Sequence, residues 1–82
     1  MEYKAVNQPQ IAEIGFEEPE KLGVRFQPAK WQQKKNLPGN EYHYSGFDNE
    51  AFALFSAAAD IDAYFAEHIR PYPDKYPFVK VA

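Results

Sequence analysis

The chain has 82 residues, of which 45% are hydrophobic and 26% charged, so it has room for one hydrophobic core and not for a multidomain enzyme. It contains no cysteine, which excludes disulfides and thiolate chemistry, and its net charge of −3 argues against nucleic acid as an obvious partner. No apolar run approaches the roughly 20 residues that span a bilayer, and the start Met1-Glu2-Tyr3-Lys4 lacks the apolar stretch of a secretory signal. We therefore expect one cytoplasmic domain over residues 1–82 with no membrane partner, and a flexible N-terminal segment over residues 1–10.

The charge is segregated along the chain. Residues 21–40 carry five basic side chains and no acid, whereas residues 41–68 carry six acids and no Lys or Arg. Such segregation predicts a dipolar surface that steers an anionic partner onto one patch despite the acidic mean. The alternative interpretation is that these charges only solvate the surface.

Three segments alternate apolar and polar residues, which is typical of half-buried strands. They cover residues 11–16, 21–26 and 41–45. The predicted inward side chains are Ala12, Ile14 and Phe16 in the first segment, Leu22, Val24 and Phe26 in the second, and Tyr42 and Tyr44 in the third. We expect a three-stranded antiparallel meander. Seven Phe, six Tyr and one Trp are expected to supply its core.

Two helices are predicted after the third strand. Asp48 and Asp60 have the position of N-caps, and helical spacing of apolar residues follows each of them, over about residues 49–58 and 61–70. Pro71 ends the second helix, and prolines alternate with aromatic residues from there to Val81, which predicts an extended C-terminal tail. The predicted fold class is α+β, with two helices covering one face of the meander.

Several motifs in this order resemble the KTSC domain, a short module named for its place at the C-terminus of some lysyl-tRNA synthetases and also found as a free-standing bacterial protein. The matching motifs are Ile14-Gly15-Phe16, Leu22 with Val24 and Phe26, Tyr42-His43-Tyr44, Phe52 with Ala58, Tyr64-Phe65 with Ile69, and Tyr76-Pro77-Phe78. The resemblance implies the same two-layer fold and a structural role for Tyr42, Tyr44, Tyr64 and Phe65. It also implies a small bacterial or phage protein, and RNA binding as a suspected activity.

The chain departs from the family pattern at three positions. Ala66 replaces the Asn of the Tyr-Phe-Asn motif, and acids stand at Asp60 and Asp62 where the family has small Ser and Gly residues. The connection between the second and third strands is also longer than usual. These changes weaken a nucleic-acid role for the face formed by the helices.

Residues 27–40, with two prolines and a Pro-Gly turn, are predicted to form a long basic loop that carries the candidate binding site. Its residues are Lys30, Trp31, Lys34 and Lys35, with Arg25 in the preceding strand. Ammonium groups around an indole suit phosphate pairing combined with stacking of a base. The alternative is a solvated loop with Trp31 folded back onto the domain.

Other residue patterns favour structural roles. Tyr42 and Tyr44 are the kind of strand aromatics that stack bases in RNA-binding sheets, but we expect them to pack under the helices. Nothing in the spacing of His43 and His68 indicates a metal site, and there is no glycine-rich phosphate loop or nucleophilic triad. We therefore predict a non-enzymatic protein without metal or cofactor.

The sequence favours a small binding domain that engages RNA or another anionic partner through the basic loop. The alternative is a protein-interaction module or small regulator of a host protein, in which the acidic helices or an open sheet edge bind another chain, including a second copy in a homodimer.

Overall fold

The computed structural model describes residues 1–81, which form five strands and three helices. The strands are β1 (Glu2–Ala5), β2 (Ile11–Glu17), β3 (Lys21–Phe26), β4 (Glu41–Tyr44) and β5 (Phe78–Lys80). The helices are α1 (Lys30–Lys34), α2 (Asn49–Ser56) and α3 (Ile61–His68). All five strands form one antiparallel sheet in the order β1-β2-β3-β4-β5. The predicted α+β class and the three predicted strands are thereby confirmed, as β2, β3 and β4.

The alternation of side chains gives the sheet an apolar face and a polar face. Ile14, Leu22 and Val24 are fully buried on the apolar face, where α2 and α3 pack. On the opposite face, which we call the outer face, the strand register aligns Tyr3, Gly15, Gly23, His43 and Val79 in one row across all five strands.

The core lies between the apolar face and the two longer helices. Its buried residues are Ile11, Ile14, Leu22, Val24, Tyr44, Phe47, Phe55, Ile61, Phe65, Ile69 and Tyr76. The expectation that the aromatic rings fill the core holds only in part. Trp31, Tyr72 and Phe78 are each more than half exposed.

Both predicted N-caps are confirmed by their hydrogen bonds. The Asp48 carboxylate accepts from the Ala51 amide at 2.9 Å, and the Asp60 carboxylate accepts from the Ala63 amide at 3.0 Å. Asp62, in the first turn of α3, accepts from the backbone amides of Gln10 and Ile11 at 2.9 and 3.0 Å. This acid therefore fixes the start of β2 against α3.

The structure differs from the prediction in the number of elements. Residues 2–5, expected to lie in a flexible segment, pair with β2 as β1, and the predicted 27–40 loop contains α1. The tail is not extended throughout, because residues 69–76 form successive turns before residues 78–80 pair with β4 as β5. No helix within residues 1–81 has both the length and the apolar character required to cross a membrane.

Candidate functional site

The predicted lysines and Trp31 lie on α1 and its C-cap. Lys30, Trp31 and Lys34 belong to the helix, and Lys35 is the residue that caps its C-terminal end. Trp31 is 59% exposed, so its indole is not folded back into the core. None of the three lysines forms an ion pair with a described residue.

The Gln32 side chain anchors α1 to the rest of the domain. It is the only buried residue of α1 and is 6% exposed. Its side-chain oxygen accepts from the Ala29 amide at 2.7 Å, and its amide nitrogen donates to Asn40 Oδ1 at 3.2 Å. The Gln32 carbonyl accepts from the Leu37 amide at 2.8 Å. These bonds link α1 to Ala29 before the helix and to Leu37 and Asn40 after it, within the connection between β3 and β4.

The helical spacing groups the three lysines and Trp31 on one side of α1, and Gln33, which is also exposed, lies outside this group. At about 100° per residue, Lys30, Lys34, Trp31 and Lys35 fall within an arc of about 140°, with the indole between Lys34 and Lys35. Gln32 lies outside that arc, on the side that faces the domain. We call this surface, formed by Lys30, Trp31, Lys34 and Lys35, the lysine–tryptophan face.

Arg25, the fifth predicted site residue, does not join this face. It lies on the outer face of the sheet, where Arg25 Nε donates to Glu41 Oε1 at 3.0 Å and Nη1 donates to Glu13 Oε1 at 3.3 Å. Its guanidinium also stacks over the Tyr3 ring, with the central carbon 3.7 Å from the ring centroid. Its charge is therefore engaged within the protein.

A polar cluster surrounds Arg25, which we call the outer-face cluster: Tyr3, Glu13, Arg25, Glu41 and His43. Tyr3 Oη donates to Glu41 Oε2 at 2.7 Å, and His43 Nε2 lies 3.0 Å from the same oxygen. Partial burial acts to raise the pKa of Glu41, but the hydrogen bonds from Tyr3, Arg25 and His43 outweigh it and lower the pKa. Burial and the bond to Glu41 raise the pKa of Tyr3, and the bond to Glu41 raises that of Arg25.

This cluster was not predicted from the sequence, although two glycines indicate it. A Cβ at Gly15 would lie 2.7 Å from the Glu2 carbonyl oxygen, and one at Gly23 would collide with Tyr3 Oη and Met1 Sδ. Glycine inside a strand marks such a close approach of another chain segment. The cluster consists of satisfied hydrogen bonds, so it stabilises the attachment of β1 and presents no open reactive group.

The tyrosines of the Tyr-x-Tyr motif face the helices as predicted. Tyr44 is 7% exposed and lies 5.7 Å from Phe65 between ring centroids, and Tyr42 packs at the border of the core. Tyr64 lies beside Phe55, with ring centroids 5.5 Å apart. All four residues that the resemblance marks as structural therefore contact or belong to the core.

Among residues 1–81 there is no group of three or more His, Asp or Glu side chains with the arrangement of a metal site. The candidate surfaces that the described residues offer are the lysine–tryptophan face and the exposed apolar side chains elsewhere.

Residues 9–76 match the model of the KTSC domain. The chain belongs to this family. No curated protein matches the chain. Within the KTSC match lie β2, β3, α1, β4, α2 and α3, whereas β1 and β5 fall outside it. The lysine–tryptophan face is thus inside the matched region.

Proposed function

We propose that this chain is a non-enzymatic binding domain whose lysine–tryptophan face binds single-stranded RNA. One observation supports this most strongly: an indole that is 59% exposed lies among three unpaired lysines on one anchored helix. Ammonium groups pair phosphates, and an exposed ring stacks an unpaired base. Duplex RNA offers no splayed base for the ring, which favours a single strand.

The net negative charge of the chain does not oppose RNA binding at the lysine–tryptophan face. No acid lies within residues 21–40, and the nearest acids along the chain, Glu20 and Glu41, are at either end of this segment. Glu41 is already bound to Arg25. A local cationic field on an acidic protein orients a polyanion onto one surface and repels it from the rest. Synthetase attachment, which the family resemblance implies, is consistent with RNA as the polyanion.

The fluorescence of Trp31 tests the proposal directly, because it is the only tryptophan in the chain. Titration with an oligouridine of about 12 nucleotides is expected to quench this emission. The affinity is expected to fall with salt between about 50 and 200 mM, with a log–log slope of about −2 for three lysine–phosphate contacts on a single strand. Binding without salt dependence would contradict the proposal.

Substitutions separate the face from general charge effects. Lys34→Ala is expected to reduce the slope by about 0.7. Trp31→Ala, followed by anisotropy of labelled RNA, is expected to weaken binding by about 1 to 3 kcal/mol through lost stacking. Lys75→Ala and Tyr72→Ala remove an exposed cation and an exposed ring outside α1 and serve as matched controls with unchanged affinity.

A second candidate function is self-association through β5, supported by the apolar side chains at this edge strand. Phe78, Val79 and Val81 are 53%, 61% and 47% exposed, and β5 pairs with β4 on one side only among the described residues. Unpaired strand edges template pairing with another chain. Sedimentation equilibrium is expected to show a dimer that Val79→Lys abolishes; a wild-type monomer at all concentrations would eliminate this candidate.

A further inference from the structure

A groove of about 520 Å³ opens between the apolar face of the sheet and the C-terminal end of α3. Phe26, Tyr42 and Tyr44 line its sheet side, and Phe65 and Arg70 line its helix side. Its volume lies within the range of small-molecule sites, which is about 300 to 1,000 Å³. The lysine–tryptophan face contributes no residue to it, so the groove is a separate surface.

The walls of this aromatic groove are rings held in contact with one another. The ring centroids of Tyr44 lie 5.7 Å from Phe65 and 5.5 Å from Phe78, and those of Tyr42 and Phe78 are 5.8 Å apart. Phe78 nevertheless remains 53% exposed. A planar ligand ring gains both apolar contact and favourable edge or offset stacking in such surroundings.

The Tyr44 hydroxyl is an unpartnered polar group in this groove. Tyr44 is more than nine-tenths buried, and its hydroxyl makes no hydrogen bond to a described residue. No side-chain oxygen of the described residues is both sealed from solvent and unpartnered, so this hydroxyl reaches the open space of the groove. Like any tyrosine, Tyr44 is protonated and able to donate at neutral pH, and burial raises its pKa further, to about 12.

Arg70 supplies a positive charge to the aromatic groove. It is exposed, lines the groove and forms no ion pair with a described residue. Arg70 and Tyr44 both line the groove, and the positive charge of Arg70 acts to lower the pKa of Tyr44 against the effect of burial. A guanidinium and a hydroxyl donor in one groove are groups that bind a carboxylate or phosphate.

We propose that the aromatic groove binds a small planar anion, with its ring against Tyr44 and Phe78 and its anionic group on the Arg70 guanidinium and the Tyr44 hydroxyl. Two sources share this chemistry: aromatic carboxylates and nucleoside monophosphates. The proposal does not depend on RNA binding at α1.

Titrations followed by heteronuclear NMR of the full chain test the ligand class. Benzoate is compared with cyclohexanecarboxylate, which keeps the charge without the planar ring, and adenosine 5′-monophosphate is compared with adenosine, which keeps the ring without the charge. The anion with a ring in at least one pair is expected to shift the amides of Tyr44, Arg70 and Phe78 and to bind about tenfold more tightly than its partner. The pair that responds identifies the source.

Matched variants test the site. Arg70→Gln is expected to weaken binding of the responding probe about 10- to 100-fold, and Tyr44→Phe about fivefold. Lys75→Gln and Tyr72→Phe, which change a cation and a hydroxyl outside the groove, are expected to leave it unchanged. Tyr44→Phe is also expected to unfold at the same denaturant concentration as the wild type, because its hydroxyl has no partner in the free protein.

Three outcomes would overturn the proposal. They are the absence of shifts in the groove for both anions up to about 5 mM, equal binding by the two members of each pair, and unchanged affinity in Arg70→Gln. Trp31 fluorescence is recorded in parallel. A probe that quenches Trp31 without shifting the groove amides binds at α1, which overturns the groove proposal and leaves the RNA proposal standing.

Discussion

At the scale of single residues, the Glu41 side chain on β4 is bonded to both β3 and β1. Its carboxylate accepts from Tyr3 on β1 at 2.7 Å and from Arg25 on β3 at 3.0 Å. These bonds favour the ionised form, so the pKa of Glu41 in the folded chain lies below its usual 4.5. Between the folded and unfolded pKa values the unfolded chain binds more protons, and acidification therefore favours unfolding.

We expect Glu41→Gln to lower the free energy of unfolding by about 1 to 2 kcal/mol at neutral pH, after allowance for the solvent exposure of Arg25. The difference from the wild type is expected to be fully present above pH 4.5, where Glu41 is ionised in both states, and to shrink as the pH falls through its lowered pKa. Urea denaturation across this range measures it.

Glu13→Gln provides the control for that measurement. Glu13 contacts the same guanidinium but at 3.3 Å, and its side chain is 37% exposed. Its loss is expected to change stability by at most about 0.5 kcal/mol. A Glu41→Gln deficit that persists unchanged to pH 2.5 or so would show that its carboxylate charge is not the source of the stabilisation.

Residue-level features were predictable where the signal is local. Asp48 and Asp60 precede the residues they cap by three positions, so sequence spacing alone identifies them. The partners of Arg25 are 12 and 16 residues away on other strands. Strand register decides which carboxylates neutralise Arg25, and the sequence alone does not give that register. Arg25 was therefore wrongly included in the predicted binding site.

At the scale of elements, β1 is held by its fit over two glycines. Tyr3 lies opposite Gly15 in the register, and its hydroxyl end lies over Gly23. Because the two glycines have no side chains, the Tyr3 ring fits over them, and the Arg25 guanidinium stacks on the ring. The strand attaches through this ring and its hydrogen bonds more than through buried apolar residues, since its own burial pattern is mostly exposed.

Gly23→Ala is expected to reduce the free energy of unfolding by about 1 to 3 kcal/mol, because the added Cβ collides with Tyr3 and Met1. In a Tyr3→Ala background the same change is expected to cost much less, giving a coupling energy of about 0.5 to 3 kcal/mol in a double-mutant cycle. Guanidinium denaturation of the four proteins measures the coupling.

Tyr72→Ala replaces Tyr3→Ala in the control cycle, because Tyr72 is exposed and lies in the turns after α3. Gly23→Ala and Tyr72→Ala are expected to be additive within about 0.5 kcal/mol. Equal costs of Gly23→Ala with and without the Tyr3 ring would mean that the glycine does not serve to admit that ring.

The elements that the sequence did not reveal share a physical cause. β1 has only four residues, over which Tyr3 and Ala5 alternate with Glu2 and Lys4, and β5 has three residues directly after Pro77. α1 has five residues without an apolar stripe and depends on bonds from Gln32 to Ala29 and Asn40. Each of these elements is too short to form alone and exists because the finished domain provides its partners.

At the scale of the whole molecule, the KTSC match covers the inner strands of the sheet but not its edge strands. The matched residues 9–76 contain the three middle strands, whereas the two edge strands come from the flanks. The three strands predicted from residue alternation are the three that lie within the match. The edge strands cover β2 and β4, which would otherwise present unpaired backbone groups to solvent, and β5 also supplies one wall of the aromatic groove.

A chain limited to residues 9–76 therefore tests whether the matched region is self-sufficient. Because this shorter chain lacks the contacts of Tyr3 and Phe78, its free energy of unfolding is expected to be lower by about 2 to 4 kcal/mol. Both newly exposed strands are expected to cause concentration-dependent association, measured by sedimentation velocity beside urea denaturation. Chains limited to residues 9–82 and 1–76 assign each effect to β1 or β5. If residues 9–76 are as stable as the full chain and associate no more strongly, the edge strands serve neither purpose, and the space over Gly15 and Gly23 needs another explanation.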